Sequence, residues 1–313
     1  MQDKNSKSLF GIDINEYTQD VDFNTLQTQI DFLYLRSSGS GSGRFRVDRK
    51  FLEFAKKARE YNIPVGAYHF GVPSYDLNTA DRQCDDFISV LMQGFGSHDY
   101  GDLFPVIDIE TPTEKAISTE ALINWIDRFR KRFEKKTRRR LMLYTGAFFI
   151  DLYDNLYVPG RGYPLKNMPL WIAMYTAIKG NPPFPKDQGG WTRWRIWQFS
   201  EAQSVRGVGS LVDANWGPNN IELLMQPGFV ENLFITKKNN QLIITWNRNQ
   251  DIDLLGYNIF ENNYWIGTVD SEDTEFVIDI SELPVPLNRT VTISIEAFDY
   301  DGETSKTRAK VTI

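Results

Sequence analysis

Two carboxylates one residue apart, Asp108 and Glu110, close the apolar run Phe104-Pro-Val-Ile-Asp-Ile-Glu110. Side chains alternate along a strand, so this spacing puts both acids on one face and Ile107 and Ile109 on the other. A carboxyl held near a second negative charge in a partly dry cleft keeps its proton to higher pH. One member of such a pair can then act as general acid at neutral pH, which is the equipment for breaking a glycosidic bond. Asp-X-Glu also occurs on solvated strand edges, where it has no such role. The apolar run in front, and Thr111-Pro112 behind, which stop the strand and open a loop, favour the catalytic reading.

Other chemistry is sparse. Cys84 is the single cysteine, so no internal disulfide can form, and its helix-like neighbours Gln83 and Asp85 point to a packed thiol rather than a nucleophile. With no second His or Cys nearby, His69 is expected as a packed or hydrogen-bonded strand residue, and His98, in a Gly/Ser-rich turn, as an exposed one. The basic run Arg128–Arg140 overlaps Trp125, Phe129 and Phe133 at four-residue spacing. It reads as a surface helix with a solvated basic face rather than a patch for an anionic polymer. The formal net charge of -6 divides into -7 over residues 229–313 and +1 over residues 1–228, which argues against nucleic acid as a partner.

The elements that must position these residues follow from hydrophobic spacing. Strands are predicted at 9–15, 32–37, 65–70, 104–110 and 141–145, with amphipathic helices near 24–30, 49–61, 79–92 and 119–136, the last capped at Ser118/Thr119. Such alternation implies parallel strands with right-handed crossovers. Strands at 170–175, 195–200 and 210–215 are joined by Pro/Gly-rich loops with no room for long helices. Eight strands, five with helices and three without, suggest a barrel, whose functional side chains sit at strand C-terminal ends. There the sequence offers Asp13 and Asn15, Tyr68 and His69, Asp108 and Glu110, Tyr144, Tyr175, Gln198, and Asp213 and Asn215. Gln226-Pro-Gly228 reads as a linker. Short alternating segments at 233–236, 242–246, 256–261, 264–269, 275–280 and 290–298 are expected to form a small all-β sandwich. The expected domains are therefore 1–228 and 229–313.

In order along the chain, Gly11-Ile-Asp-Ile, Ile63-Pro-Val-Gly-Ala-Tyr-His-Phe70, Pro105-Val-Ile-Asp-Ile-Glu110, Leu143-Tyr-Thr145, Pro169-Leu-Trp-Ile-Ala173, Trp197-Gln-Phe-Ser200 and Val212-Asp-Ala-Asn215 resemble the glycoside hydrolase family 25 lysozymes, muramidases of bacteriophages and bacteria. The resemblance covers residues 9–225. It implies a (β/α)5(β)3 TIM-like barrel, cleavage of the β-1,4 bond between N-acetylmuramic acid and N-acetylglucosamine in peptidoglycan, and no metal or organic cofactor. By position, Glu110 matches the general acid, Asp108 the carboxylate paired with it, and Asp13 and Asp213 two further acids of the groove. The Asp-X-Glu arrangement is similar to that of enzymes that use the substrate's 2-acetamido oxygen as nucleophile. Tyr144 then becomes a candidate donor to that oxygen. Tyr68, Trp171, Tyr175 and Trp197 are candidate sugar platforms, with Gln198 and Asn215 as polar groove residues.

The chain departs from the family at Asn15 and Thr18 and in the loop Ser37–Arg44, which lacks an acidic residue often found there. The loop 154–168 is long enough for a lid or contact surface. Residues 229–313 look like a fibronectin type III domain, with Trp246 and Tyr257 on early strands, though the corner tyrosine is replaced by isoleucine. No apolar run is long enough to span a bilayer, and residues 1–7 lack the apolar core of a signal peptide. The expectation is a protein made in a cytoplasm that reaches the wall by lysis, release or carriage on a virion, as an endolysin or tail-associated lysozyme. Its expected partners are peptidoglycan and, through the acidic C-terminal domain, phage-particle or wall components. Competing classes are a non-catalytic glycan-binding module on the same barrel and a chitinase-like hydrolase.

Overall fold

A computed structural model describes residues 1–41, 43–285 and 290–313 of the 313-residue chain; Ser42, within the expected Gly/Ser loop, lies outside the described residues. The chain divides into two units, Met1–Leu224 and Met225–Ile313.

In the first unit the strands are β1 (Phe10–Ile14), β2 (Phe32–Gly39), β3 (Arg46–Val47), β4 (Val65–Phe70), β5 (Val106–Asp108), β6 (Met142–Gly146), β7 (Leu170–Ala173), β8 (Ile196–Gln203) and β9 (Val212–Trp216). Five helices, α1 (Phe23–Leu26), α2 (Phe51–Glu60), α3 (Asn78–Phe95), α4 (Thr119–Thr137) and α5 (Ala147–Leu152), follow β1, β3, β4, β5 and β6. Because β1 pairs with both β2 and β9, the sheet closes into an eight-stranded barrel, with β3 attached outside the ring to β2. Seven barrel strands run parallel, as the alternation of the first five with helices implied for those, but β9, among the three bare strands, is antiparallel to both neighbours. The reason is length: residues 204–211 link β8 to β9, and a parallel return needs a crossover of about a dozen residues or more.

Alternation along each strand builds two cores. Outward residues such as Ile12, Leu33, Leu35, Val65, Ile107, Leu143 and Ile172 pack with the helices. Inward ones, among them Phe32, Tyr34, Val106, Met142, Trp171 and Ile196, are buried inside the ring. Two glycines make room for the large rings. A Cβ at Gly66 would stand 2.4 Å from the Tyr34 ring, and one at Gly11 2.4 Å from the Phe32 ring.

The basic run belongs to α4, whose Leu122, Trp125, Ile126, Phe129 and Phe133 are buried. Its cations are not simply solvated: Arg128 pairs with Asp81 at 2.7 Å, and Arg132 and Lys136 both pair with Asp85 at 2.6 Å, so the basic face of α4 is matched to acids of α3. The loop expected at 154–168 holds a short 3-10 turn and a bridge between Val158 and Gly162. Helix α5, absent from the sequence reading, is only six residues long. His69 is fully buried between Ser38 and Gln83, at 2.9 and 3.2 Å, and stacks on Phe45 and Phe87; burial lowers its pKa to about 4, so it packs as a neutral ring. Cys84 is buried and its thiol is pushed up to about 12, the opposite of an activated nucleophile.

Among the described residues, the second unit has two antiparallel sheets. One orders β10 (Phe234–Lys238), β11 (Gln241–Thr245) and β14 (Glu275–Asp279). The other orders β13 (Tyr264–Asp270), β12 (Leu254–Glu261), β15 (Thr292–Asp299) and β16 (Ala309–Thr312). Their core includes Ile244, Trp246, Tyr257, Ile259, Ile293 and Ile295. The β12–β13 hairpin turns on Asn262 and Asn263, at φ 44° and 73°, a left-handed pair that asparagine tolerates well. Strand β16 was not anticipated, because its short run is interrupted by Lys310. Among the described residues, no helix is long and apolar enough to cross a membrane.

Candidate active site

One end of the barrel opens into a cavity of about 190 Å³ lined by acids and aromatic rings. Asp13 on β1, Asp108 on β5, Glu110 just beyond β5, and Asp213 on β9 all line it. The alternation argument places Asp108 and Glu110 there together while Ile107 and Ile109 join the outer core. Asp213 reaches the same rim for a different reason. Because β9 runs backwards, a residue near its start lies level with residues near the ends of the parallel strands, and Asp13 and Asp213 are direct register partners.

The four acids are not electrostatically equivalent. Asp13 Oδ2 accepts N–H bonds from Asn215 Nδ2 at 2.8 Å and from Gln198 Nε2 at 3.0 Å. Burial raises the Asp13 pKa, while the Asn215 and Gln198 amides and the Asp213 carboxyl oppose that rise, so Asp13 is the more readily ionised member of its pair. Asp213, which shares a hydrogen bond with Asp13, is pushed up to about 9 by burial and by that neighbouring charge, and it holds the proton. Burial comes first in raising Asp108 well above the carboxylate range, with Glu110 and Asp13 adding to it. Glu110 is raised by burial and then by Asp13, the direction a general acid requires. Asp108 Oδ1 is buried with no hydrogen-bond partner among the described residues. An orphaned buried oxygen of this kind costs stability unless something else satisfies it.

A chain of donors fixes Asp13. The hydroxyls of Tyr144 and Tyr175 both donate to Gln198 Oε1 at 2.9 Å, and Trp171 Nε1 donates to Asn215 Oδ1 at 2.8 Å. Each amide therefore has its oxygen engaged and its N–H aimed at Asp13, which sets both amide orientations.

Of the residues expected to hold sugar, Tyr68, Tyr144, Trp171 and Gln198 line the cavity. Trp171 is 1% exposed and packs against Tyr34, Tyr68 and Tyr144, so it forms the floor and an anchor for Asn215 rather than a stacking platform. Asn215 is fully buried and acts on Asp13 from behind. Tyr175 joins through its bond to Gln198. Trp197 does not belong to the cavity: its indole N–H donates to the Met174 carbonyl and its ring packs on Trp194 and Phe199 in the outer core. Alternation accounts for this, since Gln198 faces inward and its neighbour must face out.

The cavity also contains Asn15, Arg36 and Phe70. Asn15 stood among the strand-end candidates, whereas Arg36 and Phe70 were missed. The signal for Arg36 was available: an arginine at the end of Phe32-Leu-Tyr-Leu, a run otherwise buried, needs a partner. Its partners are Asp48 at 3.0 Å and Glu16 at 3.4 Å.

A model of glycosyl hydrolases family 25 matches residues 12–208. Lysozyme M1 of Streptomyces globisporus is 28% identical over 210 residues, a match spanning 66% of this chain and 66% of that lysozyme. The N,O-diacetylmuramidase of Arthroderma benhamiae is 27% identical over 220 residues, covering 66% of this chain and 82% of the fungal protein. Among solved structures, the Clostridium perfringens spore cortex lytic enzyme SleM is similar over the whole chain, with 56% identity, a TM-score of 0.96, and coverage of 100% and 99%.

Proposed function

Because this chain belongs to glycosyl hydrolases family 25 and is thereby a glycoside hydrolase, we propose that it cleaves the β-1,4 bond between N-acetylmuramic acid and N-acetylglucosamine in peptidoglycan, with Glu110 as general acid and base. The observation that carries this reading is the gathering of Asp13, Asp108, Glu110 and Asp213 in one open cavity at the barrel rim.

Glu110 gives its proton to the glycosidic oxygen as the bond to the anomeric carbon breaks, while the substrate's own acetamido oxygen closes on that carbon. Asp108 Oδ1, buried and unpartnered, accepts the acetamido N–H and steadies the positive charge of the resulting oxazolinium. Water then attacks the anomeric carbon, Glu110 takes its proton, and the configuration is retained. Tyr144 turns its hydroxyl from Gln198 to the acetamido oxygen. Gln198 tolerates the loss because Tyr175 still donates to it. Burial and then the Asp13 charge raise the Glu110 pKa, and Asp13 stabilises an oxocarbenium-like transition state.

We read the five helix-bearing strands and three bare ones as a (β/α)5(β)3 barrel. The second unit, with its three- and four-stranded antiparallel sheets, we read as a fibronectin type III-like domain for wall attachment or assembly. The full-length likeness to a spore cortex lytic enzyme favours cortex or wall lysis by a bacterial enzyme over release or carriage by a phage.

The test is Glu110→Gln in a wall-lysis assay with muropeptide analysis. The expected result is a rate loss of about three orders of magnitude or more with the fold intact, and new reducing-end muramic acid from the wild type. Near wild-type rates in the variant would remove Glu110 from this role. Chitin fragments without wall lysis would shift the substrate to unsubstituted N-acetylglucosamine polymers.

A further inference from the structure

A second cavity, of about 270 Å³, adjoins the catalytic one and shares two of its walls, Arg36 and Phe70; Ser38, Gly39, Gly41, Arg46 and Asp48 complete it. Its electrostatics are opposite in sign to those of the acid cluster. Glu16, whose side chain is 1% exposed, is gripped by Arg46 at 2.5 Å, Arg49 at 2.9 Å and Arg36 at 3.4 Å. Asp48 is equally buried and fully occupied: Oδ2 accepts from the Glu16 backbone N–H and Arg36 Nε, and Oδ1 from the Lys50 backbone N–H. Three guanidinium groups thus face two carboxylates, which leaves net positive charge. Arg36 bonds through Nε and Nη2, so Nη1 has no hydrogen-bond partner among the described residues, and half of the Arg46 side chain is open to solvent. Bare backbone at Gly39 and Gly41 keeps the space clear, since a Cβ at either would already stand 3.2–3.3 Å from the Phe70 side chain.

We propose that this basic side pocket, centred on Arg36 and Arg46, recognises a carboxylate carried by the muramic acid residue and so selects which sugar of the alternating glycan enters the catalytic cavity beside it. The inference rests on the peptidoglycan reading above and deepens it. N-acetylglucosamine is uncharged, whereas muramic acid carries a lactyl carboxylate or, where that is amide-linked, the carboxylates of a stem peptide. Bringing either near the Asp13 charge is repulsive, and a pair of guanidiniums fixed by buried acids offsets that repulsion while reading the anion directly. The rigid hold of Glu16 and Asp48 means the arginines need little reordering when the ligand arrives.

The experiment uses the full chain on three soluble substrates: glycan strands stripped of stems, so that every lactyl carboxylate is free; the same strands with those carboxylates converted to methylamides; and strands with stems intact. For the wild type, kcat/KM on the methylamide strands should be about ten- to a hundredfold below that on the carboxylate-bearing strands, mainly through KM. Preference for stripped strands assigns the lactyl group, and preference for intact strands alone assigns the stem. In Arg46→Gln that preference should collapse toward unity, and Arg46→Lys should restore part of it, which also separates lost recognition from lost folding. Equal wild-type rates on all three substrates, or an Arg46→Gln defect equal on all three, would overturn the side pocket. If the wild type cleaves none of them, the peptidoglycan reading itself fails.

Discussion

At the scale of single residues, the site is governed by which acid holds a proton. Two amide donors oppose the burial that raises the Asp13 pKa, and the Asp13 charge adds to the burial that raises Glu110. Removing that charge in Asp13→Asn should lower the Glu110 pKa, so the basic limb of the kcat/KM profile moves to lower pH; a pH–rate series on soluble glycan measures the shift. Asp213 shows the corresponding effect on stability. Its pKa is raised by folding to about 9, so the folded state binds a proton that the unfolded chain releases near pH 4. Its contribution is therefore fully present below the unfolded pKa and is lost as pH rises through the folded one. Asp213→Asn, which needs no proton, should flatten this decline. Thermal melts should show it more stable than wild type at pH 8, by several kcal/mol, and little changed at pH 4.

At the scale of elements, the barrel works because its inner and outer faces are packed differently. Two of the large aromatic side chains in the ring fit because a neighbouring strand gives up its side chain, as Gly66 does for Tyr34 and Gly11 for Phe32. Gly66→Ala should cost about 1–3 kcal/mol in urea unfolding, because the added methyl collides with a fully buried ring. Shrinking that ring with Tyr34→Leu in the same chain should recover part of the loss, which tests the collision itself. The reversed β9 is the other decisive element. It brings Asp213 opposite Asp13, and a parallel strand in its place would carry that residue to the far end of the barrel.

At the scale of the whole molecule, the chain is two units with separate cores, one holding all four acids and the other carrying an excess of negative charge. Residues 1–224 alone should therefore fold and cleave soluble glycan within about tenfold of the full chain, as expected when each domain has its own core. Losing activity while retaining a cooperative melt would assign the second unit a direct part in catalysis. Binding of the isolated second unit to purified walls separates wall attachment from an assembly contact.

Much of this was legible along the chain. Period-two alternation placed Asp108 and Glu110 on one face, and the alternation of strand and helix indicated a barrel with its acids at strand ends. Both follow from local backbone geometry, which acts over a few residues. What the tertiary structure alone decided concerns partners brought together by the fold: that Asp13 ionises more readily than Asp213; that Trp171 holds Asn215; and that Arg36 and Arg46 close around Glu16. Ring closure sets the first of these, because only when β1 meets β9 do residues some two hundred positions apart share hydrogen bonds and a dielectric environment, while the pairing of β2 with β1 and β3 sets the last.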